Sequence, residues 1–421
     1  PSCPFNYVVL DPCAESPTVV DADVRVLCSV GPSRAGNYHL VRASGKLFWS
    51  GPRTGAYMET DHRVHIGDSR SLEGLEPNSV ELVVTSPPYP MIELWDELFV
   101  SLDPAIEGHL AAGRGRAAFE AMHTALDAVW ETVSSVLVDG GIACINVGDA
   151  TRSLDGSFRR YQNHSRITAA FDDRGFEPLP SLLWRKPTNS ATKFMGSGML
   201  PPNAYATLEH EHVLVFRNGP AQRAFEPRAD RRYEATYFWE ERNRWFSDLW
   251  TDITGRHQGL VGVDSRDRSA AYPLAIPYRL INMYSVYGDT VFDPFWGTGT
   301  TTLAAMVAGR HSVGKELDPA FESTFADRVD RIQPLADRVL ADRLGAHEAF
   351  VDERRAAGET FEYTADNYEF PVMTNQEVPI RLFGIDGVER TTAGYRLTHE
   401  PVGADWRVDL AVDADTERVD R

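Results

Sequence analysis

Lysine is scarce in this sequence, because among 42 basic residues only Lys46, Lys186, Lys193 and Lys315 are lysine. With 61 acidic residues, the net charge is −19. An acidic surface on which arginine replaces lysine is typical of extreme halophiles, so we expect a halophilic protein; an acidic mesophilic protein from a GC-rich genome is the alternative. In molar salt the Debye length is about 3 Å, so this charge does not exclude a nucleic-acid partner.

Cysteines and long apolar runs are also few. The four cysteines, Cys3, Cys13, Cys28 and Cys144, lack metal-ligand spacing and cannot build a disulfide scaffold. We expect no bound metal, and we interpret Cys144, His210 and His212 as structural. No apolar run approaches the roughly 18 residues of a membrane span, and the first 30 residues lack a basic start followed by an apolar run. We therefore expect a soluble cytoplasmic protein without a membrane partner.

The chain is long enough to bury a large core. Strand-like runs such as 80–84 and 142–147 alternate with helical patterns such as 117–137, which predicts a parallel α/β sheet. We divide the chain into an N-terminal extension (1–61), two halves of an α/β core (62–219 and 269–330), an intervening polar region (220–268) and a C-terminal segment (331–421).

The two ends of the chain carry no chemical motif. The N-terminal extension has short β-like runs at 24–27 and 38–41. The C-terminal segment begins as an acidic helix and then alternates apolar and polar residues, as at 407–412, which predicts a separate, mostly β appendage.

The first chemical motif is Thr85-Ser86-Pro87-Pro88-Tyr89, directly after the strand-like run that ends at Val84. Consecutive prolines stop a strand and fix the backbone. Open α/β sheets bind ligands at the carboxyl ends of their strands. This position therefore favours a ligand-binding loop over a simple polyproline turn.

The second motif is Asp293-Pro294-Phe295-Trp296-Gly297-Thr298-Gly299-Thr300, between an apolar pair and a helical run. Its two glycines permit a tight turn and close approach of a ligand to backbone N–H groups. Glu316 lies 19 residues beyond Gly297 at the end of a short strand-like run, close to the spacing of a carboxylate that binds ribose hydroxyls. The combination predicts a nucleotide-like cofactor.

Together the two motifs resemble the amino-methyltransferase family of DNA modification enzymes, specific for cytosine N4 or adenine N6. The catalytic motif precedes the cofactor motif, which resembles the circularly permuted beta order of that family. Further segments resemble family elements: Gly67-Asp68, 139–149, 184–187, 210–216 and 272–281. Trp296 and Lys315 depart from the family pattern, the former from a small residue and the latter from an apolar one. The whole chain looks like haloarchaeal modification methylases associated with CTAG.

The resemblance implies a Rossmann-like sheet that binds S-adenosylmethionine, with S-adenosylhomocysteine as product. It implies a catalytic set of Ser86, Pro87, Pro88 and Tyr89. It also implies a cofactor-binding set of Asp68, Thr85, Asp293, Pro294, Phe295, Gly297, Thr298, Gly299, Thr300 and Glu316.

The expected reaction is direct methylation of a flipped base in double-stranded DNA. Serine before Pro-Pro-Tyr leans toward cytosine N4 in this family, so adenine N6 is the first alternative. An RNA or protein methyltransferase and a noncatalytic DNA-binding protein are less favoured alternatives. A homodimer and a cognate restriction nuclease are left open as partners.

The intervening region is the candidate for target recognition, because arginine reads guanine edges or contacts phosphates and aromatic rings stack on bases. An ordinary solvated loop with core aromatics is the alternative. The DNA-binding candidates are Arg223, Arg228, Arg231, Arg232, Arg242 and Arg244, with Arg256 further along.

Overall fold

The computed structural model describes residues 39–43, 46–50, 58–186, 195–253 and 272–410. The chain divides into two compact units, Pro1–Ala56 and Tyr57–Arg421. In the first unit, β1 (His39–Ala43) and β2 (Lys46–Ser50) pair antiparallel. The strand-like run predicted at 38–41 overlaps β1, whereas the run at 24–27 lies outside the described residues.

The second unit contains both strands and helices throughout. Its strands are β3 (Met58–Ile66), β4 (Val80–Thr85), β5 (Leu137–Val147), β6 (Ala150–Leu154), β7 (Ser157–Tyr161), β8 (Phe176–Arg185), β9 (Met195–Gly196), β10 (Ala204–Tyr205), β11 (His210–Asn218), β12 (Leu249–Trp250), β13 (Thr290–Asp293), β14 (His311–Glu316), β15 (Tyr363–Thr364), β16 (Pro371–Val372), β17 (Phe383–Thr391) and β18 (Gly394–Pro401). Its helices are α1 (Asp96–Leu102), α2 (Ala105–Ala111), α3 (Gly115–Val136), α4 (Asn163–Asp172), α5 (Asp230–Glu234), α6 (Trp239–Trp245), α7 (Ala275–Tyr284), α8 (Thr300–Ala308), α9 (Phe321–Val329), α10 (Ile332–Ala356) and α11 (Trp406–Asp409). Among the residues described, none of these helices is both long and apolar enough to cross a membrane.

Ten strands form one sheet in the order β12-β8-β11-β5-β4-β13-β14-β3-β18-β17. The five strands from β5 to β3 in this order run parallel, which confirms the predicted α/β fold. Both faces of β4 are buried, because Leu82 and Val84 pack in the cluster that contains α7 and α8, whereas Val83 packs in the cluster that contains α3. Cys144 is fully buried in the first of these clusters, as predicted.

The sheet has a topological switch point between β4 and β13. From β4 the chain crosses to β5 on one side, and from β13 it crosses through α8 to β14 on the other side. Because β4 and β13 are parallel neighbours, the loops at their carboxyl ends flank one crevice. This is where open α/β sheets bind ligands.

Two of the C-terminal strands, β17 and β18, belong to the same sheet, whereas β15 and β16 pair with each other in a separate two-stranded sheet. Strand β18 pairs antiparallel with β3, which gives β3 a partner on the side away from β14. The strand predicted at 407–412 is wrong within its described part, because residues 406–409 form α11. Trp406 and Leu410 are both buried, and this spacing of four places them on one face of a helical turn.

Candidate active site

The loops after β4 and β13 are joined by the buried carboxylate of Asp293. Thr85 Oγ1 donates to Asp293 Oδ1 and Thr301 Oγ1 donates to Oδ2, each at 2.6 Å. The Phe295 backbone N–H also donates to Oδ1, at 3.0 Å. Burial raises the pKa of Asp293 to about 6. Both carboxylate oxygens are thus engaged within the protein, and they fix the two predicted motifs against each other.

The Ser-Pro-Pro-Tyr loop ends in a hydrogen-bonded group of side chains. Ser86 Oγ lies 3.0 Å from Tyr89 Oη, and Tyr89 donates to Glu211 Oε2 at 2.9 Å. Asn146 Nδ2 donates both to Glu211 Oε2, at 2.7 Å, and to Tyr89 Oη, at 3.0 Å. Burial, and then the negative charge of Glu211, raise the pKa of Tyr89 well above its usual range. The Tyr89 hydroxyl therefore stays protonated.

Three residues of this group were missed by the sequence analysis. Asn146 lies near the carboxyl end of β5, Glu211 near the start of β11, and Lys186 directly after β8. Lys186 Nζ donates to Glu211 Oε1 at 2.8 Å. The sequence did offer a signal for these three residues. Each is a polar residue at one terminus of an apolar strand, at the edge of the sheet that carries the two motifs.

The glycine loop closes onto Glu316. The Gly297 backbone N–H donates to Glu316 Oε2 at 2.8 Å, and Asp318 N–H donates to Oε1 at 3.0 Å. Gly297 and Gly299 have φ of 52° and 75°, in the left-handed region. A Cβ on Gly299 would lie 2.3 Å from the Phe325 ring, so both backbone shape and space require glycine there.

The two departures from the family pattern are accommodated locally. Trp296 is buried, and its indole N–H donates to Thr302 Oγ1 at 2.9 Å. A Cβ on Gly314 would lie 2.2 Å from the Trp296 ring, so this glycine in β14 makes room for the indole. Lys315 is also buried, and its Nζ donates to the Asp68 and Ser71 carbonyls at 3.2 and 2.5 Å. Lys315 thereby holds the loop that carries Asp68.

The Asp68 side chain points to Arg70, with an ion-pair distance of 2.6 Å. The hydrogen bonds from Arg70 lower the pKa of Asp68. Asp68 therefore stays ionised beside the crevice.

One cavity of about 700 Å³ connects the two motifs. It is lined by most of the predicted site residues, namely Asp68, Ser86, Pro87, Pro88, Tyr89, Asp293, Pro294, Phe295, Gly297, Thr298, Thr300 and Glu316, and also by Asn146, Lys186 and Glu211. Thr85 and Gly299 support its wall from behind, through the contacts described above. The volume lies within the roughly 300–1,000 Å³ of small-molecule sites.

Three of the predicted DNA-binding arginines lie elsewhere. Arg223, Arg231 and Arg232 surround the Phe225 ring at 5.1, 5.7 and 5.0 Å. Arg223 also forms a bidentate pair with Asp289, at 2.7 and 2.9 Å. Asp289 directly precedes β13, so this arginine cluster lies at the amino edge of the sheet, about 13 Å of strand from the cavity edge.

The remaining predicted arginines are spread over the same region. Arg244 lies 3.9 Å from Asp252, which follows β12 and therefore lies at the cavity edge, because β12 runs parallel to β8. Arg242 belongs to α6, a helix whose Glu241 and Trp245 are buried. Arg228 is exposed with φ of 59°. Arg256 lies outside the described residues.

A group of possible metal ligands lies near the cavity. Asp149, His164 and His212 bring their ligand atoms within 4.8 Å of one another. The His164 and His212 rings stack at 4.1 Å with an interplanar angle of 15°, and Arg160 pairs with Asp149 at 2.6 Å. Nearly parallel stacked rings do not direct their lone pairs to one point, so the group fits a metal centre poorly. Asp149 is instead hydrogen-bonded to Arg160 and His164, and the His212 ring stacks on His164.

Comparison with known proteins agrees with this geometry. Residues 80–327 match the model of the N6/N4 DNA methylase family. The Type II methyltransferase M.MthZI of Methanothermobacter thermautotrophicus is 48% identical over 328 residues, which cover 77% of this chain and 91% of that protein. The Type II methyltransferase M.MjaI of Methanocaldococcus jannaschii is 46% identical over 281 residues, which cover 64% and 91%.

A solved structure is similar as well. A candidate DNA modification methylase from Thermus thermophilus, complexed with S-adenosyl-L-methionine, shares 31% identity at a TM-score of 0.51. The match covers 64% of this chain and 94% of that one. The chain belongs to the N6/N4 DNA methylase family, as the resemblance predicted, and it is a DNA methyltransferase of the class that modifies amino groups of bases.

Proposed function

We propose that this protein methylates the N4 amino group of cytosine in duplex DNA. The cofactor is S-adenosylmethionine, and the products are the methylated base and S-adenosylhomocysteine. The observation that carries the proposal is the single cavity in which Ser86 and the glycine loop ending at Gly299 meet, joined through Thr85 and Asp293.

The cavity suits S-adenosylmethionine in size and in the chemistry of its walls. Glu316 offers a carboxylate for ribose hydroxyls, and Gly297 and Thr298 offer loop backbone. Phe295 and Leu317 offer apolar surface for a purine ring, next to the loop of Asp68. When bound, the cofactor supplies an electrophilic methyl group.

The catalytic loop is suited to holding a flipped base. A base amino group is buried in the duplex, so the nucleotide must leave the stack. Tyr89 lines the cavity and would stack on the base, while Ser86 Oγ and the Pro87 carbonyl accept hydrogen bonds from the amino hydrogens. These two acceptors turn the nitrogen lone pair out of conjugation with the ring. Positioning of this kind contributes up to about 7–11 kcal/mol.

Cytosine is proposed over adenine because a serine before Pro-Pro-Tyr, here Ser86, leans toward cytosine N4 in the resembling family. Its neutral hydroxyl is a weaker acceptor than a carboxylate and is smaller than an acid or an amide, so the pocket differs in polarity and in room. The CTAG context rests on the family resemblance alone. A short palindrome suits an enzyme that modifies both strands with the same contacts, either as a monomer or as a homodimer, with or without a cognate nuclease.

The predicted DNA contacts divide by position. Arg244 is the better candidate for contact with DNA near the cavity edge. Arg242 lies two residues before it on the same short helix and therefore points to a different side. Arg223, Arg231 and Arg232 occupy the other edge, where only DNA that extends past the sheet would reach them.

The test is nucleoside mass spectrometry of DNA incubated with protein and cofactor in molar salt. We expect N4-methylcytosine, and single-molecule sequencing of the same DNA gives its context. Dominant N6-methyladenine would overturn the target assignment, and methylation of RNA or protein alone would overturn the substrate. Ser86→Ala should slow transfer strongly while cofactor affinity, measured by calorimetry, stays within about twofold.

A further inference from the structure

A serine hydroxyl can either donate or accept a hydrogen bond. Ser86 helps to orient the base only if its lone pairs, and not its hydrogen, face the amino group. An aspartate at this position would be an acceptor in any case, whereas a serine needs a partner that takes its hydrogen. The side chains behind Ser86 therefore decide whether it can perform this role.

The hydrogen bonds around Tyr89 have only one self-consistent direction. Glu211 is a carboxylate and accepts only, so the Tyr89 hydrogen points to Glu211 Oε2, at 2.9 Å. Asn146 Nδ2 donates to one lone pair of Tyr89 Oη, at 3.0 Å. The contact with Ser86, at 3.0 Å, must then be a hydrogen bond that Ser86 donates to Tyr89.

The orientation of the Asn146 amide is fixed as well. Its Nδ2 lies 2.7 Å from Glu211 Oε2. Reversing the amide would place its carbonyl oxygen against that carboxylate oxygen, which is repulsive. Lys186 Nζ, 2.8 Å from Glu211 Oε1, stabilises the negative charge from the other side. The Glu211 side chain is only 10% exposed, so these donors replace much of its hydration.

We infer that Glu211 is a positioning residue that acts through Tyr89 and makes Ser86 an obligate hydrogen-bond acceptor toward the base. The inference rests on the proposed function, because it concerns the same amino group. Glu211 does not touch the base in this scheme. Its effect on the reaction passes entirely through the hydroxyl hydrogens of Tyr89 and Ser86.

The test is a double-mutant cycle on the single-turnover rate of methyl transfer. Glu211→Gln introduces an amide that can donate to Tyr89 and so reverse the direction of the hydrogen bonds from Ser86 to Tyr89 and from Tyr89 to Glu211. Tyr89→Phe keeps the ring but removes the hydroxyl that connects Ser86 to Glu211. Each should slow transfer by on the order of 10-fold to 100-fold, the scale for hydrogen bonds to charged groups. The double variant should be no slower than the slower single variant, and cofactor affinity should not change.

Glu177→Gln is the matched control, because it removes the same charge from an exposed position on β8 and should leave the rate unchanged. Multiplicative losses in the double variant would overturn the inference and leave the proposed function standing. Wild-type protein that methylates no DNA would overturn both. If Glu211→Gln does not fold, the cycle of Tyr89→Phe with Ser86→Ala applies the same criterion, and multiplicative losses there would equally overturn the inference.

Discussion

The two edges of the central sheet use charged residues in opposite ways. At the carboxyl edge, which is the cavity edge described above, Glu316 and Glu211 line the cavity and hold backbone or side-chain groups in place beside it. At the amino edge, Arg223 is paired with Asp289, whose side chain is 1% exposed. We therefore expect changes at Glu316 or Glu211 to affect ligand binding or methyl transfer, and changes at the Arg223–Asp289 pair to affect stability. The number of arginines in a segment does not distinguish these cases.

The largest expected effect is a loss of stability when the ion pair at the amino edge is broken. Arg223→Ala leaves the Asp289 carboxylate buried without its bidentate partner, and breaking such a pair costs about 3 kcal/mol. Urea denaturation should show this loss, while DNA affinity per folded molecule stays within about twofold. Arg232→Ala is the control, since it removes a cation from the same Phe225 ring but leaves the pair intact. Normal stability with weakened DNA binding in Arg223→Ala would reverse our assignment of the two edges.

The second-largest expected effect is a loss of cofactor affinity when Glu316 at the carboxyl edge is replaced. Glu316→Ala removes the acceptor of the Gly297 N–H and the proposed ribose ligand. We expect cofactor affinity to fall by on the order of 10-fold to 100-fold, as for hydrogen bonds to a charged group. Calorimetry in molar salt measures it, with the exposed Glu322→Ala as the control. Equal cofactor affinities in the two variants would show that Glu316 does not bind the cofactor.

Between the edges, a buried histidine pair predicts a dependence of stability on pH. Thr60 Oγ1 lies 2.8 Å from the Nε2 atoms of both His62 and His399. Burial lowers the pKa of His399 from 6.5 to about 4, and burial followed by the charge of His399 lowers the pKa of His62. The unfolded chain therefore binds more protons below pH 6.5, and stability decreases as the pH falls from 6.5 toward 4.

For His399 alone this loss reaches about 2 kcal/mol at pH 5, from 1.36 kcal/mol for each unit of pKa. Urea denaturation at pH 7.5 and pH 5 measures it. His399→Gln should show a smaller difference between the two pH values, and His109→Gln, on α2, should not. The same pH dependence in all three proteins would exclude the histidine pair as its source.

The smallest effect concerns Arg244, which tests whether the carboxyl edge contacts DNA. Arg244→Ala should weaken DNA binding a few-fold and lower the slope of log affinity against log salt by about 1 if the arginine neutralises one phosphate. Fluorescence anisotropy over a salt series gives both values. Arg231→Ala, from the amino edge, is the matched comparison. A larger change of slope in Arg231→Ala would place the DNA on the other edge.

Local motifs made the carboxyl edge largely predictable. Ser86 to Tyr89 and Asp293 to Gly299 each follow a strand directly, so their place in the sheet could be deduced from a few neighbouring residues. Glu211 and Asn146 are 65 positions apart, and each stands in an ordinary apolar strand. Only the pairing of β11 with β5 brings them together. Sequence patterns describe neighbours along the chain, so contacts between distant strands were not predicted.

The same limit explains the amino edge and the C-terminus. Arg223 pairs with Asp289, which is 66 positions away in the sequence. The number of arginines in the segment does not predict a contact that only the fold creates. Near residue 407, apolar and polar residues alternate over only a few positions, and this pattern predicted a strand. The segment forms a helical turn instead, because a turn buries both Trp406 and Leu410 on one face.

The Asp293 carboxylate links the Ser-Pro-Pro-Tyr loop to the glycine loop, the two walls that we propose to face the base and the cofactor. A shift of either loop changes the hydrogen bonds of the other, through Thr85 on one side and Thr301 on the other. We therefore expect the occupancy of the two subsites to be coupled. Such coupling is reciprocal: if cofactor tightens the binding of the target base by some factor, DNA tightens the binding of cofactor by the same factor. Removing the Thr85 hydroxyl would lower that shared factor toward one, even though Thr85 itself does not line the cavity.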